Sequence, residues 1–157
     1  MFGETAASVP PLLVFGWGNL SRGDDALGPL CIEQLRSSCA LDGRVEFLDD
    51  YQLQVEHALD LVGRTRVLFV DASLNCAAPF EVTDLQAARD ASFTTHAVSP
   101  QALMQVFVDL HAAQPPACTL LAIRGERFEL GEPPSPLALA NLEPAAQWAR
   151  SWLQLSL

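Results

Sequence analysis

Apolar positions along the chain change their spacing several times, and each change marks a boundary between predicted elements. Leu12-Leu13-Val14-Phe15 is a continuous apolar run, which predicts a first strand buried on both faces of a sheet. After a polar, Gly-containing loop, Leu27, Leu30, Cys31 and Leu35 recur at helical spacing, with Pro29 suited to a first turn. Val45-Glu46-Phe47-Leu48 predicts a short second strand, and Val55, Ala58, Leu59 and Val62 mark a short helix stopped by Gly63. Arg66-Val67-Leu68-Phe69-Val70-Asp71 is the next strand, closing on a carboxylate, and Phe80-Glu81-Val82-Thr83 reads as an edge strand because its flanks are polar.

In the second half, Ser99-Pro100 is a helix start with hydroxyl cap and proline at the first position; Leu103, Met104, Phe107 and Leu110 supply the buried stripe. Thr119-Leu120-Leu121-Ala122-Ile123 predicts a core strand, the stretch from Glu129 to Pro136 a Pro-rich loop, and a last helix begins near Leu142. Trp148 and Trp152 stand one turn apart on that helix as a packing stripe. There is no internal repeat. Strands alternating with helical segments predict a three-layer α/β/α sandwich around a twisted, mostly parallel sheet of about five strands.

Composition narrows the picture further. A chain of 157 residues holds one domain, with residues 1–11 expected to form a loose leader: they carry Glu4 and no basic residue, which does not suit a signal peptide. No apolar stretch approaches the length of about 18 residues that a membrane helix needs, so membrane insertion is not expected and cytoplasmic residence is the default expectation. The net charge is −10, and all nine basic residues are scattered arginines, which disfavours a nucleic-acid partner. With no lysine, a phosphate-loop lysine, a Schiff base and a Ser-Lys dyad are excluded. Cys31, Cys39, Cys76 and Cys118 lack C-x-x-C spacing and lie in or near apolar stretches, so they are expected as free, buried thiols.

The chemistry concentrates after the first strand, in Gly16-Trp17-Gly18-Asn19-Leu20-Ser21-Arg22-Gly23-Asp24-Asp25. Gly16-x-Gly18 has the position of a dinucleotide fingerprint, but Ser21 stands where the third glycine belongs, and Asp24 and Asp25 would repel a pyrophosphate. The glycines suit a tight turn with close backbone approach. One of the two carboxylates is enough to cap the coming helix, which leaves the other free as an oxygen ligand. Asp71, at another strand's carboxyl end, is expected at the same sheet edge. Of the histidines, His57 reads as half of a surface pair with Glu56, and His111 as a last-turn residue. His96 lies in a polar loop before Ser99. Asp25, Asp71 and His96 together would suit a borderline divalent ion with positions left open. No G-x-S-x-G elbow exists, and nothing marks Cys76 as a nucleophile.

Phe15-Gly16-Trp17-Gly18-Asn19 followed by Arg22-Gly23-Asp24-Asp25-Ala26-Leu27-Gly28 resembles the opening signature of the nickel-iron hydrogenase maturation endopeptidases. The resemblance continues in Phe69-Val70-Asp71-Ala72 and in Thr95-His96 before Ser99-Pro100, and is weaker in the final strand and helix. It implies that Asp25, a position often Glu in relatives, Asp71 and His96 are the metal-binding and catalytic residues. Asp24 is implied as a loop organiser, and Gly16, Gly18, Asn19, Asp24, Gln54 and Glu56 as the substrate-recognition set. Gln52, Gln54 and Glu56-His57 look like the version found in maturases of cytoplasmic NAD-reducing or bidirectional hydrogenases.

What the resemblance implies is a single cut that removes the C-terminal extension from the precursor of a nickel-iron hydrogenase large subunit, after nickel insertion. The nickel arrives with the substrate as its recognition signal, and no tightly bound organic cofactor is implied. A monomer is expected, since a large folded substrate needs an open cleft. The rival from another class is a non-enzymatic chaperone that binds nickel or precursor through the same three residues; a nucleotide-binding domain is the third.

Overall fold

The computed structural model describes residues 9–39, 43–90 and 97–157. Five strands form one sheet: β1 (Leu12–Trp17), β2 (Val45–Asp50), β3 (Arg66–Ser73), β4 (Phe80–Leu85) and β5 (Ala117–Arg124). Their spatial order is β2-β1-β3-β5-β4, with β4 antiparallel at the edge and every other pairing parallel. The expected three-layer α/β arrangement is therefore the one observed.

The apolar run of β1 is continuous because both faces of the sheet are covered. Leu12 and Val14, with Leu68, Val70, Leu121 and Ile123, pack under α1 (Leu27–Ser38) and α3 (Pro136–Ser156). Leu13 and Phe15, with Val67 and Phe69, pack under α2 (Pro100–His111) and a 3-10 segment, Val55–Leu61. Each buried Leu, Ile or Phe side chain contributes roughly 1.5–3 kcal/mol by leaving water, so these two clusters dominate the stabilisation. Among the described residues no helix is long and apolar enough to cross a membrane.

Several local expectations are corrected. The segment after β2 is a 3-10 rather than an α-helix: its three-residue repeat turns Ala58 and Leu61 inward and leaves Leu59 and Val62 exposed. In α2 the buried stripe ends at Phe107, and Leu110 faces solvent one turn later. The last helix starts at Pro136, not near Leu142, because Ser135-Pro136 repeats the cap-and-proline start of Ser99-Pro100; Pro144 is carried inside it. Of the leader expected over residues 1–11, residues 1–8 lie outside the described ones, while the last two prolines are fastened. The Pro10 carbonyl accepts from Arg64 Nη1 at 2.8 Å, and the Pro11 carbonyl from the Thr65 N–H at 2.8 Å. All four cysteines are free, and burial pushes the thiols of Cys31 and Cys118 up to about 12.

The topology also says where a site belongs. From β1 the chain runs through α1 to β2 on one side, then returns across β1 to β3 on the other. The crevice outside the carboxyl ends of β1 and β3 is therefore the switch point of the sheet, the place where open α/β folds bind ligands.

Candidate functional site

Two carboxylates reach that switch point. β1 ends at Trp17 and is followed by a loop closing in a single 3-10 turn, Gly23–Ala26, immediately before α1. The loop is drawn tight at Gly18, whose φ of 150° and close packing on the Asp25 carbonyl leave no room for a side chain. This brings the Asn19 N–H to Asp25 Oδ2 at 2.9 Å and fixes the carboxylate half-buried at the cleft. Asp71 lies near the end of β3, beside Ala122 of β5, and its Oδ1 accepts the Ala72 N–H at 2.8 Å.

Asp25 and Asp71 line the same cavity, of about 270 Å³, together with Asn19, Arg22, Tyr51, Gln52 and Phe128. Trp17 forms part of its wall and packs edge-on against Phe69, ring centroids 5.8 Å apart. Burial pushes the Asp71 carboxyl up to about 7; the Ala72 N–H opposes the rise and the charge of Asp25 adds to it. A half-buried carboxylate that feels the charge of a second one is a pair whose ionisation a cation would favour. A larger cavity, about 540 Å³, lies elsewhere, between Leu85, Met104, Val108 and Pro115. No titratable side chain lines it, whereas the smaller cavity at the switch point presents two carboxylates.

Asp24 faces the opposite way. It is fully buried, with Oδ2 accepting from the N–H groups of Glu126 (2.7 Å) and Arg127 (3.0 Å) and from Ser135 Oγ (2.8 Å), and Oδ1 from the Ser135 N–H (2.6 Å). Burial works to raise its pKa, but the Glu126, Ser135 and Arg127 backbone donors and the Ser135 hydroxyl outweigh that and hold it below the usual carboxylate range. Its expected place in substrate recognition is therefore corrected: every part of the carboxylate is spent on tying the first loop to the β5–α3 connection. Nor does it cap α1, whose first turn has no side-chain cap.

The remaining expected residues divide. Gly18 and Asn19 line the cavity; Gly16 does not, and instead lets α1 approach β1, where a methyl group would lie 2.6 Å from Ile32 Cγ1. Gln54 is the N-cap of the 3-10 segment and pairs with Ala97 in an isolated antiparallel bridge, while Glu56 is exposed; neither lines the cavity, although Gln52 does. His57 is not a surface partner of Glu56. Its Nδ1 accepts the Gln54 N–H at 2.8 Å, and Nε2 lies 3.0 Å from Asp50 Oδ2. His96 lies outside the described residues, and among the described residues no group of three His, Cys, Asp or Glu side chains is arranged to hold a metal. Sequence reading missed Arg22, Tyr51 and Phe128 as wall residues; the available signal was that each follows a strand's carboxyl end within a few residues.

The comparison with solved structures decides the architecture. The hydrogenase maturating endopeptidase HybD from E. coli superposes with a TM-score of 0.76 at 23% identity, covering 92% of this chain and 93% of that one. The fold is that of the hydrogenase maturation endopeptidases. The [NiFe] hydrogenase maturation protease HycI from Thermococcus kodakarensis KOD1 shares this maturation-endopeptidase fold at a TM-score of 0.72 and 21% identity, over 95% of both chains. A hydrogenase 2 maturation peptidase from a Thaumarchaeota archaeon does so at 0.66 and 23% identity, over 90% of this chain and 97% of that one. No protein-family model and no curated protein matches the sequence.

Proposed function

We propose that this protein is an endopeptidase that removes the C-terminal extension from the nickel-loaded large-subunit precursor of a nickel-iron hydrogenase. The observation that carries the reading is the convergence of Asp25 and Asp71, from two separate crossovers, on one cavity at the switch point of the maturation-endopeptidase fold. Asp25, Asp71 and His96 are the residues that complete the coordination of the precursor's nickel. The nickel is part of the substrate, and the protein needs no resident organic cofactor. A dication arriving there displaces the proton that burial and Asp25 favour at Asp71, so the site is charged by its own substrate.

The grip on the metal sets the peptide bond beyond the terminal metal-binding motif in the cleft, which turns cleavage into a positioned reaction. Polarisation of the carbonyl or of a water by the metal assists hydrolysis. Gly18, Asn19 and Gln52 supply the recognition wall around the carboxylates. The protein acts as a single-domain monomer in the cytoplasm, and the sequence residues Gln52, Gln54, Glu56 and His57 suit a partner of the NAD-reducing or bidirectional hydrogenase type.

The test is intact-mass measurement after mixing the protein with nickel-loaded and nickel-free precursor. The expected result is loss of the extension from the nickel-loaded form alone. An unchanged nickel-loaded precursor overturns the endopeptidase reading; if it stays bound, the non-enzymatic chaperone takes its place.

A further inference from the structure

On the reading that this cavity cleaves a peptide bond, we propose that Arg22 is the catalytic group that holds the scissile carbonyl oxygen as negative charge develops on it. Arg22 is the cationic member of a wall that also presents Asp25 and Asp71. Those carboxylates are suited to hold the metal and would repel an oxyanion, so a positive hydrogen-bond donor in the same wall is placed to hold the developing charge beside it. Despite sharing the cavity, Arg22 forms no ion pair within 4.0 Å among the described residues; the pairs there are Arg36–Asp49, His57–Asp50, Arg64–Glu46 and Arg89–Asp109.

Its side chain is nevertheless held. Nε donates to the Phe128 carbonyl at 3.1 Å. The backbone is fixed on both sides, the Arg22 N–H to the Asn19 carbonyl and the Asp25 N–H to the Arg22 carbonyl, each at 3.1 Å. A guanidinium has five N–H donors in a rigid fork, so the bond to Phe128 spends one and leaves the two terminal nitrogens for a ligand. The Asn19–Asp25 turn thus carries a carboxylate at one end and a tethered cation inside it. The side chain is solvent-exposed, as a group waiting for substrate must be. Arginine also keeps its charge at every working pH.

The step balances without a further reactant. Water oxygen bonds to the carbonyl carbon as the π pair moves onto the carbonyl oxygen, to which the Arg22 N–H groups donate hydrogen bonds. The pair then returns, the C–N bond breaks, its electrons stay on nitrogen, and nitrogen takes the proton released by the attacking water.

The test is single-turnover and steady-state cleavage of nickel-loaded large-subunit precursor by the full chain and its Arg22→Ala, Arg22→Lys and Arg22→Gln variants. Arg22→Ala is expected to lose roughly 10²–10³-fold in kcat with little change in KM. Lysine, a point charge that cannot keep the Phe128 bond while reaching forward, is expected to recover part of the loss. Free guanidinium ion at millimolar concentration is expected to restore cleavage by Arg22→Ala and to leave the wild type unaffected, a rescue that a purely structural role would not give. Should Arg22→Ala fail to fold, Arg22→Gln keeps an N–H donor for the Phe128 carbonyl and carries the same comparison. Wild-type cleavage with an equally active Arg22 variant, or a loss confined to KM, removes the role of Arg22 and leaves the endopeptidase reading standing. A wild type that leaves nickel-loaded precursor intact overturns both.

Discussion

Asp24 and Asp25 are consecutive residues of one 3-10 turn, yet they belong to two regions with opposite rules. On the Asp24 side, four donors from Glu126, Arg127 and Ser135 meet one fully buried carboxylate and match its approximate acceptor capacity. On the Asp25 side, the carboxylate takes one hydrogen bond from Asn19, Asp71 takes one from Ala72, and among the described residues the rest of their acceptor capacity opens on the cavity. The first region is finished and holds the loop in place. The second is unfinished, as a site must be that awaits a ligand brought by another molecule. The rotation of about a third of a turn between adjacent residues of a 3-10 helix is what separates anchor from tool.

Breaking the open side has the largest expected effect on activity. Asp25→Ala and Asp71→Ala should each reduce cleavage of the nickel-loaded precursor by about 10²–10⁴-fold, the range in which positioned acid, base and metal groups act. Neither should lower the melting temperature appreciably, because neither removes a saturated buried network. Breaking the closed side should do the reverse. Asp24→Ala strands donors in the buried β5–α3 connection, each costing about 1–3 kcal/mol if unpaired, so a loss of about 3 kcal/mol or more in urea unfolding is expected. An Asp24→Ala protein of wild-type stability that nonetheless cannot cleave would erase the distinction between the two regions.

The same contrast carries opposite pH signs in the metal-free protein. Asp71 has its folded pKa raised from 3.8 to about 7, so the folded state binds the proton more tightly than the unfolded one. Its contribution is complete below about pH 3.8 and is lost as pH rises through about 7. Asp24 is lowered from 3.8, so its contribution is present above that value and is lost as pH falls through its lower folded pKa. Urea midpoints measured across pH 2–8, a range of about 6 units, should lose the neutral-side decline in Asp71→Asn, by up to about 1.4 kcal/mol per pH unit, and the acid-side decline in Asp24→Asn. Unaltered slopes in both variants would show that neither carboxylate sets the profile.

What the sequence reveals follows the range of the interaction involved. The apolar runs of β1 and β3 and the carboxylates of the segments that follow or close them are local, and strand-end logic is enough to bring Asp25 and Asp71 to one edge. The fate of Asp24 is not local: its partners stand 102, 103 and 111 residues away, and no spacing within the first loop announces them. Arg22, Tyr51 and Phe128 come from loops after three different strands, so they meet only once the sheet order is known. The 3-10 segment was hidden because a run of seven residues has too few turns to separate a period of 3.0 from 3.6. The start of α3 was masked by the Pro-rich stretch around Ser135, although the Ser-Pro signature itself was present.

That signature provides the smallest test of the comparison. Ser99 and Ser135 open α2 and α3 alike: each hydroxyl accepts the N–H three residues on, from Ala102 at 3.1 Å and Ala138 at 3.2 Å. Each also donates to an aspartate, Asp90 Oδ1 at 2.6 Å and Asp24 Oδ2 at 2.8 Å. The two differ in surroundings, since the Ser135 bonds are buried while those of Ser99 are only partly so. Ser99→Ala should therefore cost about 1 kcal/mol in urea unfolding, the ordinary loss of an N-cap, and Ser135→Ala about 2 kcal/mol, because it also takes a donor from a carboxylate with no water to replace it. In a double-mutant cycle, Ser135→Ala and Asp24→Asn should couple by about 1 kcal/mol. Equal losses at the two serines, with no coupling at Ser135, would mean that the buried anchor is no stronger than a partly buried cap.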